Sequence, residues 1–248
     1  MLKYEFHSAP QSGNDVLRVE NLVARYDGAP ILHGIDFEMD HGEMVALIGR
    51  NGVGKTTFVN SIARIVKDIS GKIIFEGENI TQYSIHQVAR KGLRLVAEDR
   101  GVFPKLTVYE NLEVAVLYAD SVTKHDIKKV FELFPRLEER KNLHAGLMSG
   151  GEQQMLAIGR ALLTKPKLLL VDEFSEGLQP SITKEIAEVL IQVNKDEGLP
   201  ILIVEQNANL ALKMTKSASI MVKGEIIHSA SSKELLENDE ILKENLVI

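Results

Sequence analysis

The sequence predicts an α/β fold with a largely parallel core drawn from both ends of the chain and a helical insertion in the middle. Three observations predict it. The runs Met44 to Ile48, Leu168 to Val171 and Ile201 to Val204 are continuously apolar and short, as strands buried on both faces must be. Ile35, Phe37 and Met39 alternate with Asp36, Glu38 and Asp40, the period-two signature of a half-buried sheet. Between about residues 100 and 160 the apolar spacing lengthens to that of helices.

Taken in order, residues 1 to about 14 are polar and aperiodic, with Pro10 and Gly13, and read as a flexible tail. Strand pattern begins at Val16. Asp40-His41-Gly42 supplies a turn before the Met44 run, and Phe58 to Val66 reads as a helix. Lys72 to Phe75 and Leu93 to Ala97 are further strands. Thr123 and Asp126 can cap a helix bearing Ile127, Val130, Phe131 and Phe134, which Pro135 ends. Leu156 to Leu163 is periodic as a helix, and another runs from about Ile182 to Val193 between the last two buried strands. Ile220 to Val222, Lys223-Gly224 and Ile226 to His228 make a hairpin. Ser231 and Glu234 then cap a short final helix. No repeat or low-complexity segment interrupts this order.

Composition narrows the function. At 248 residues and 44% hydrophobic, the chain can bury one large core or two small ones. Its apolar runs are too short to cross a bilayer, and nothing near Met1 looks like a signal peptide. With no cysteine there is no disulfide, thiolate metal site or cysteine nucleophile, which fits a cytosolic protein. A formal net charge of −6 argues against nucleic acid as a partner. Basic clusters such as Arg136-Leu137-Glu138-Glu139-Arg140-Lys141 are interleaved with acids and read as a solvated helix face.

The chemistry concentrates in Gly49-Arg50-Asn51-Gly52-Val53-Gly54-Lys55-Thr56-Thr57, between a buried strand and a helix. This is the P-loop pattern. Its glycines let successive amides point inward, and the helix that follows adds its unpaired N-terminal amides, so the loop cradles phosphate oxygens. Lys55 can neutralise the β- and γ-phosphates, and the Thr56 hydroxyl can ligate magnesium. The ligand is a nucleoside triphosphate. A carboxylate is needed at the end of a neighbouring strand, and Leu168-Leu169-Leu170-Val171-Asp172-Glu173 provides two. Asp172 would hold magnesium through water, and Glu173 would orient or deprotonate the attacking water.

Met148-Ser149-Gly150-Gly151-Glu152-Gln153-Gln154 opens a helix and offers amides, a hydroxyl and a helix dipole, which together make a second anion site. It resembles the signature motif of the ABC (ATP-binding cassette) ATPases. Over about residues 16 to 230 the rest of that family's set appears in order. Tyr26 stands where the family stacks an aromatic ring on adenine. Glu98 stands where a glutamine follows the strand leading into the helical subdomain, as a catalytic and metal position. Glu176 to Gln179 falls at the D-loop, and Gln206 at the catalytic switch.

The resemblance implies a P-loop NTPase with a RecA-like core, an N-terminal antiparallel β-subdomain and a helical subdomain insertion. The chain would be one domain over 15–248, with core at about 15–97 and 155–248 and the helical subdomain at about 98–154. It implies ATP and magnesium as ligands. It also implies a head-to-tail dimer with a second cassette, in which Ser149, Gly150 and Gly151 act on the partner's ATP. Phe103-Pro104-Lys105-Leu106-Thr107-Val108-Tyr109-Glu110-Asn111-Leu112, Phe134-Pro135-Arg136-Leu137, Ser149 to Leu163 and Val204-Glu205-Gln206-Asn207-Ala208-Asn209 are similar to the F-type ATP-binding subunits of branched-chain amino acid importers. Urea and short-chain amide importers share much of this, and a soluble cassette acting in assembly stays open. The importer reading implies transmembrane permease subunits, a solute-binding protein acting indirectly, and a peripheral place on the cytoplasmic face of the membrane. Residues 100–147 would be the docking surface, with Phe103 and Val108 as exposed apolar contacts.

Two departures from the family pattern leave function standing. Gln206 replaces a common histidine and can still donate a hydrogen bond, though it cannot become cationic. Glu98 replaces glutamine and adds a charge. A third, Phe174 where proline is usual, is expected to leave the turn after Glu173 less constrained.

Overall fold

A computed structural model of the chain describes residues 14–117, 123, 126–238 and 240–246. The expected tail at residues 1 to about 14 lies outside these, residue 14 excepted.

Two sheets organise the molecule. In the first, β1 (Asp15–Tyr26) pairs antiparallel with β2 (Ala29–Asp40). Strand β3 (Met44–Ile48) follows the expected turn, and its residues are all buried. After the helix α1 (Lys55–Ile62), β4 (Ile69–Phe75) returns to pair with β1, and β5 (Glu78–Asn79) finishes this sheet in the order β2-β1-β4-β5. Helix α1 begins three residues earlier than its apolar pattern and stops at Ile62. The lysine and two threonines belong to its first turn because the loop before it ends in a left-handed Gly54 at φ 111°.

The chain then runs through α2 (Ile85–Arg90), β6 (Leu93–Val96), α3 (Val108–Leu117), α4 (Asp126–Leu133), α5 (Pro135–Glu139) and α6 (Gly150–Leu163). Thr123 donates its backbone N–H to the Asp126 carboxylate at 2.9 Å, the expected cap. Pro135 ends α4 and also starts α5, at whose first position a missing N–H costs nothing. The second half supplies β7 (Leu168–Asp172), α7 (Pro180–Glu197), β8 (Ile201–Glu205), α8 (Ala208–Met214), the hairpin β9 (Ser217–Val222) and β10 (Glu225–Ser231), then α9 (Ser232–Glu237) and α10 (Glu240–Asn245). The second sheet has the order β10-β9-β3-β8-β7-β6. Its strands are parallel except for β10.

Burial on both faces explains the continuous apolar runs. Leu168 and Leu170 belong to the core shared with α1 and the antiparallel sheet, whereas Leu169 and Val171 belong to the core shared with α3, α4 and α6. Phe37 of β2 meets Phe58 of α1 edge to face, with centroids 5.4 Å apart, which ties α1 to the antiparallel sheet. Val108, expected to be exposed, is fully buried at the start of α3; Phe103 is 40% exposed.

Candidate functional site

The parallel strands β3, β7 and β8 end side by side, with Ile48 opposite Glu205 and Asp172 opposite Val204, so loops separated by more than 120 residues meet at one edge. Lys55 is 3% exposed. Its ammonium donates to the carbonyls of Gly49 at 2.8 Å and Arg50 at 2.9 Å, and lies 2.9 Å from Glu173 Oε1. The loop is tied down at both ends. Gly49 N–H donates to the Glu205 carbonyl, and Val53 C=O accepts from Gly224 N–H at 2.8 Å. Asn51 and Gly52 are exposed at its tip, Thr56 is exposed, and Thr57 is buried.

Beside this loop lies a cavity of about 270 Å³, lined by Tyr26, Ile31, Gly54, Lys55, Thr56 and Glu173 among others. Tyr26, 47% exposed at the end of β1, presents a ring to it. A second cavity of about 490 Å³ is lined by Arg50, Glu173, Ser175, Glu176, Glu205 and Gln206, among others. Glu173 lines both. Its backbone is left-handed at φ 45°, unusual outside glycine, and its N–H is held by the Val204 carbonyl at 2.8 Å.

Asp172 is 1% exposed, and burial pushes its carboxyl up to about 6. A hydrogen bond from the Thr56 hydroxyl opposes that shift, Glu173 and Glu98 add to it, and Lys55 counters it. Asp172 Oδ1 is buried without a hydrogen-bond partner. Oxygens of Glu98, Glu173 and Glu176 all lie within 4.8 Å of one another, and the hydrogen bond with Glu173 raises the Glu176 pKa. An all-oxygen donor set with an orphaned buried carboxylate oxygen fits a hard divalent cation such as magnesium. Thr56, Asp172 and Glu98 are the expected donors. Glu176 joins the cluster although sequence reasoning gave it no metal role; its place in the Glu173 turn was the available signal.

Ser149, Gly150 and Gly151 line neither cavity. Ser149 caps α6. Its N–H and hydroxyl both reach Glu152 Oε2 at 2.9 Å, and Glu152 N–H returns a bond to the hydroxyl at 3.3 Å. Burial opposes ionisation of Glu152, but these bonds and the Arg140 guanidinium outweigh it and hold its pKa low. A Cβ on Gly151 would stand 2.5 Å from Ile182 Cγ2, so glycine lets α6 lie close against α7.

Gln206 is exposed at the end of β8. Just before it, Glu205 was missed as a site residue, although a carboxylate closing an apolar strand was visible. It is 2% exposed and accepts from Ser175 N–H at 3.0 Å and Ser175 Oγ–H at 2.9 Å. Burial pushes its carboxyl up to about 7 against those bonds. The turn between Glu173 and Ser175 is not loose: Phe174 is 1% exposed within the core under the helical segment. A buried ring on one side and Glu205 on the other supply the restraint that a proline ring would have given.

A groove of about 770 Å³ opens among α2, β6, α3 and α6. Arg90, Arg94, Arg100, Phe103, Ala115 and Arg160 are among its lining residues. Among the described residues no helix is long and apolar enough to cross a membrane.

Comparison with known proteins agrees with this architecture. Residues 32–176 match the model of the ABC transporter family. The chain is 42% identical over 227 residues to a high-affinity branched-chain amino acid transport ATP-binding protein of Pseudomonas aeruginosa, covering 91% of this chain and 97% of that one. It is 33% identical to a probable branched-chain amino acid transport ATP-binding protein of Archaeoglobus fulgidus, covering 92% and 97%. Among solved structures, an ATP-binding cassette of an ABC transporter in its ADP conformation is 26% identical with a TM-score of 0.79, over 92% of this chain and 97% of that one. With a family match over more than half of its length and relatives 42% and 33% identical along nearly all of it, the chain belongs to the ABC transporter family.

Proposed function

We propose that this chain is the ATP-hydrolysing subunit of an importer for branched-chain amino acids, peripheral on the cytoplasmic face of the membrane and paired head to tail with a second cassette. One observation carries the pairing. The Ser149 helix start presents a hydroxyl and a positive dipole end, yet lines neither cavity beside Lys55 and Glu173. Each chain thus owns two half-sites, and a paralogous cassette or another copy must complete them. ATP between the halves holds them closed, and loss of the γ-phosphate contacts releases them.

In the site, Tyr26 stacks on the base and the loop from Gly49 to Thr57 wraps the phosphates. Lys55 leaves its bonds to the Gly49 and Arg50 carbonyls for phosphate oxygens. Glu173 turns its carboxylate to the attacking water, and Gln206 reads the γ-phosphate or that water. Thr56, Asp172 and Glu98 would hold magnesium, which supplies charge neutralisation on the phosphates when bound. The likeness to branched-chain amino acid transport proteins over nearly the whole chain supports the solute. The arginine-lined groove beside Phe103, with residues 98–154 as the moving helical subdomain, supports docking of transmembrane permeases, which a solute-binding protein would feed.

The test is uptake by proteoliposomes holding the chain with the membrane subunits that co-purify with it. ATP-dependent leucine, isoleucine or valine uptake that disappears with Glu173→Gln is the expected result. Urea or amide uptake would reassign the solute, and purification without any polytopic subunit would favour an assembly role.

A further inference from the structure

Three segments meet at one buried residue, Glu205. The Glu205 backbone carbonyl accepts from Gly49 at the start of the P-loop. Its side chain accepts both the N–H and the hydroxyl of Ser175, at 3.0 and 2.9 Å. Asn207 N–H also bonds the Glu205 side chain, and Gln206 lies between the two. Ser175 sits two residues beyond Glu173 and one before Glu176, inside the turn whose first residue has the unusual left-handed backbone. Burying a carboxyl is costly, and this one lies at the edge of the reaction site.

We propose that Glu205 is a positioning residue that clamps Ser175, so that the turn carrying Glu173 and the loop carrying Gln206 move as one body during hydrolysis. It touches neither ATP nor the attacking water. A rigid link between the two keeps the Glu173 carboxylate within hydrogen-bond reach of a water that Gln206 also contacts. Misplacement by about 1 Å is enough to cost a factor of order one hundred in such steps. The proposal rests on Glu173 as the water-orienting base, and the experiment separates the two.

ATP affinity and single-turnover hydrolysis are measured on the full chain in its hydrolytically competent dimer. Glu205→Ala and Ser175→Ala should each lower kcat about tenfold, the scale of one lost hydrogen bond at the transition state, with ATP affinity unchanged. The double variant should be no slower than either single one, because the pair acts as a unit. Glu205→Gln should restore most of the rate, since its amide accepts from Ser175 N–H and donates to the Ser175 oxygen. If Glu205→Ala does not fold, Ser175→Ala carries the same comparison. Normal kcat in Ser175→Ala and Glu205→Ala while Glu173→Gln is inactive overturns the clamp and leaves the base intact. Losses that add in the double variant, or a matching loss of ATP affinity, also overturn it. Normal turnover in Glu173→Gln overturns the base and the clamp together.

Discussion

Lys55 Nζ lies 2.9 Å from Glu173 Oε1, so the cation proposed for phosphate and the carboxylate proposed for water are partners in one buried ion pair. Both side chains are under a tenth exposed, and neither can be removed without leaving an unpaired charge.

Lys55→Met should therefore destabilise the chain as well as abolish ATP binding, by about 3–5 kcal/mol for the unpaired Glu173. Adding Glu173→Gln to that variant should recover much of the stability and none of the binding. Urea denaturation beside nucleotide titration separates the two effects; an equally unstable double variant would show that the lysine matters to the fold through packing alone.

Three carboxyls are raised, those of Glu205, Asp172 and Glu176, and they fix a direction for pH. Glu205 moves from 4.5 to about 7 and Asp172 from 3.8 to about 6, so the folded chain holds protons that the unfolded chain releases. Their stabilising effect is complete below about pH 4 and is lost as pH rises through 6 and 7. Glu205 accounts for about 3 kcal/mol at most. Asp126 and Glu152, whose pKa values are lowered, act in the opposite sense and only at lower pH. Denaturation in chelator between pH 5 and 8 should show declining stability, and Glu205→Gln should flatten the slope. A wild-type slope in that variant would place the titration elsewhere.

Gly151→Ala should fold less stably by about 1–3 kcal/mol, because the new methyl would enter the Ile182 side chain. For a chain of this size that is a drop of several degrees in Tm, at about 2–4 °C per kcal/mol. Ile182→Ala should restore room and make the glycine replacement nearly neutral in that background. If it does not, α6 and α7 are held apart by other contacts.

Gln206 is exposed and makes no bond to Lys55 or the P-loop, so Gln206→His should leave ATP affinity unchanged. Only hydrolysis should respond. Loss of binding in equilibrium titrations would mean that this side chain reaches the nucleotide before the dimer closes.

How much of this was legible in the sequence depended on whether a residue's surroundings are local. Met44 to Ile48 and Leu168 to Val171 announced buried strands because parallel pairing hides both faces. Gly54, Lys55 and Thr56 could be placed at one loop-to-helix junction because that geometry lies within a few neighbouring residues. Val108 was misread because its backbone N–H bonds the Leu143 carbonyl, thirty-five residues on, and its side chain joins a core that also takes in Ala145, which periodicity cannot report. Phe174 was misread for the same reason: what fixes its turn is a core built largely from α6 and α7. Glu205 was missed because a carboxylate after an apolar run looks like an ordinary strand end until Ser175, thirty residues upstream, is brought against it.

The strand that ends at Asp172 is common property of two separate apolar cores, with neighbouring leucines committed to opposite sides. Swelling or shrinking either side would tilt both terminal carboxylates at once. Diverging copies of such a gene can drift freely in loops and wetted helix faces, but along Leu168 to Val171 they can only trade one aliphatic volume for another.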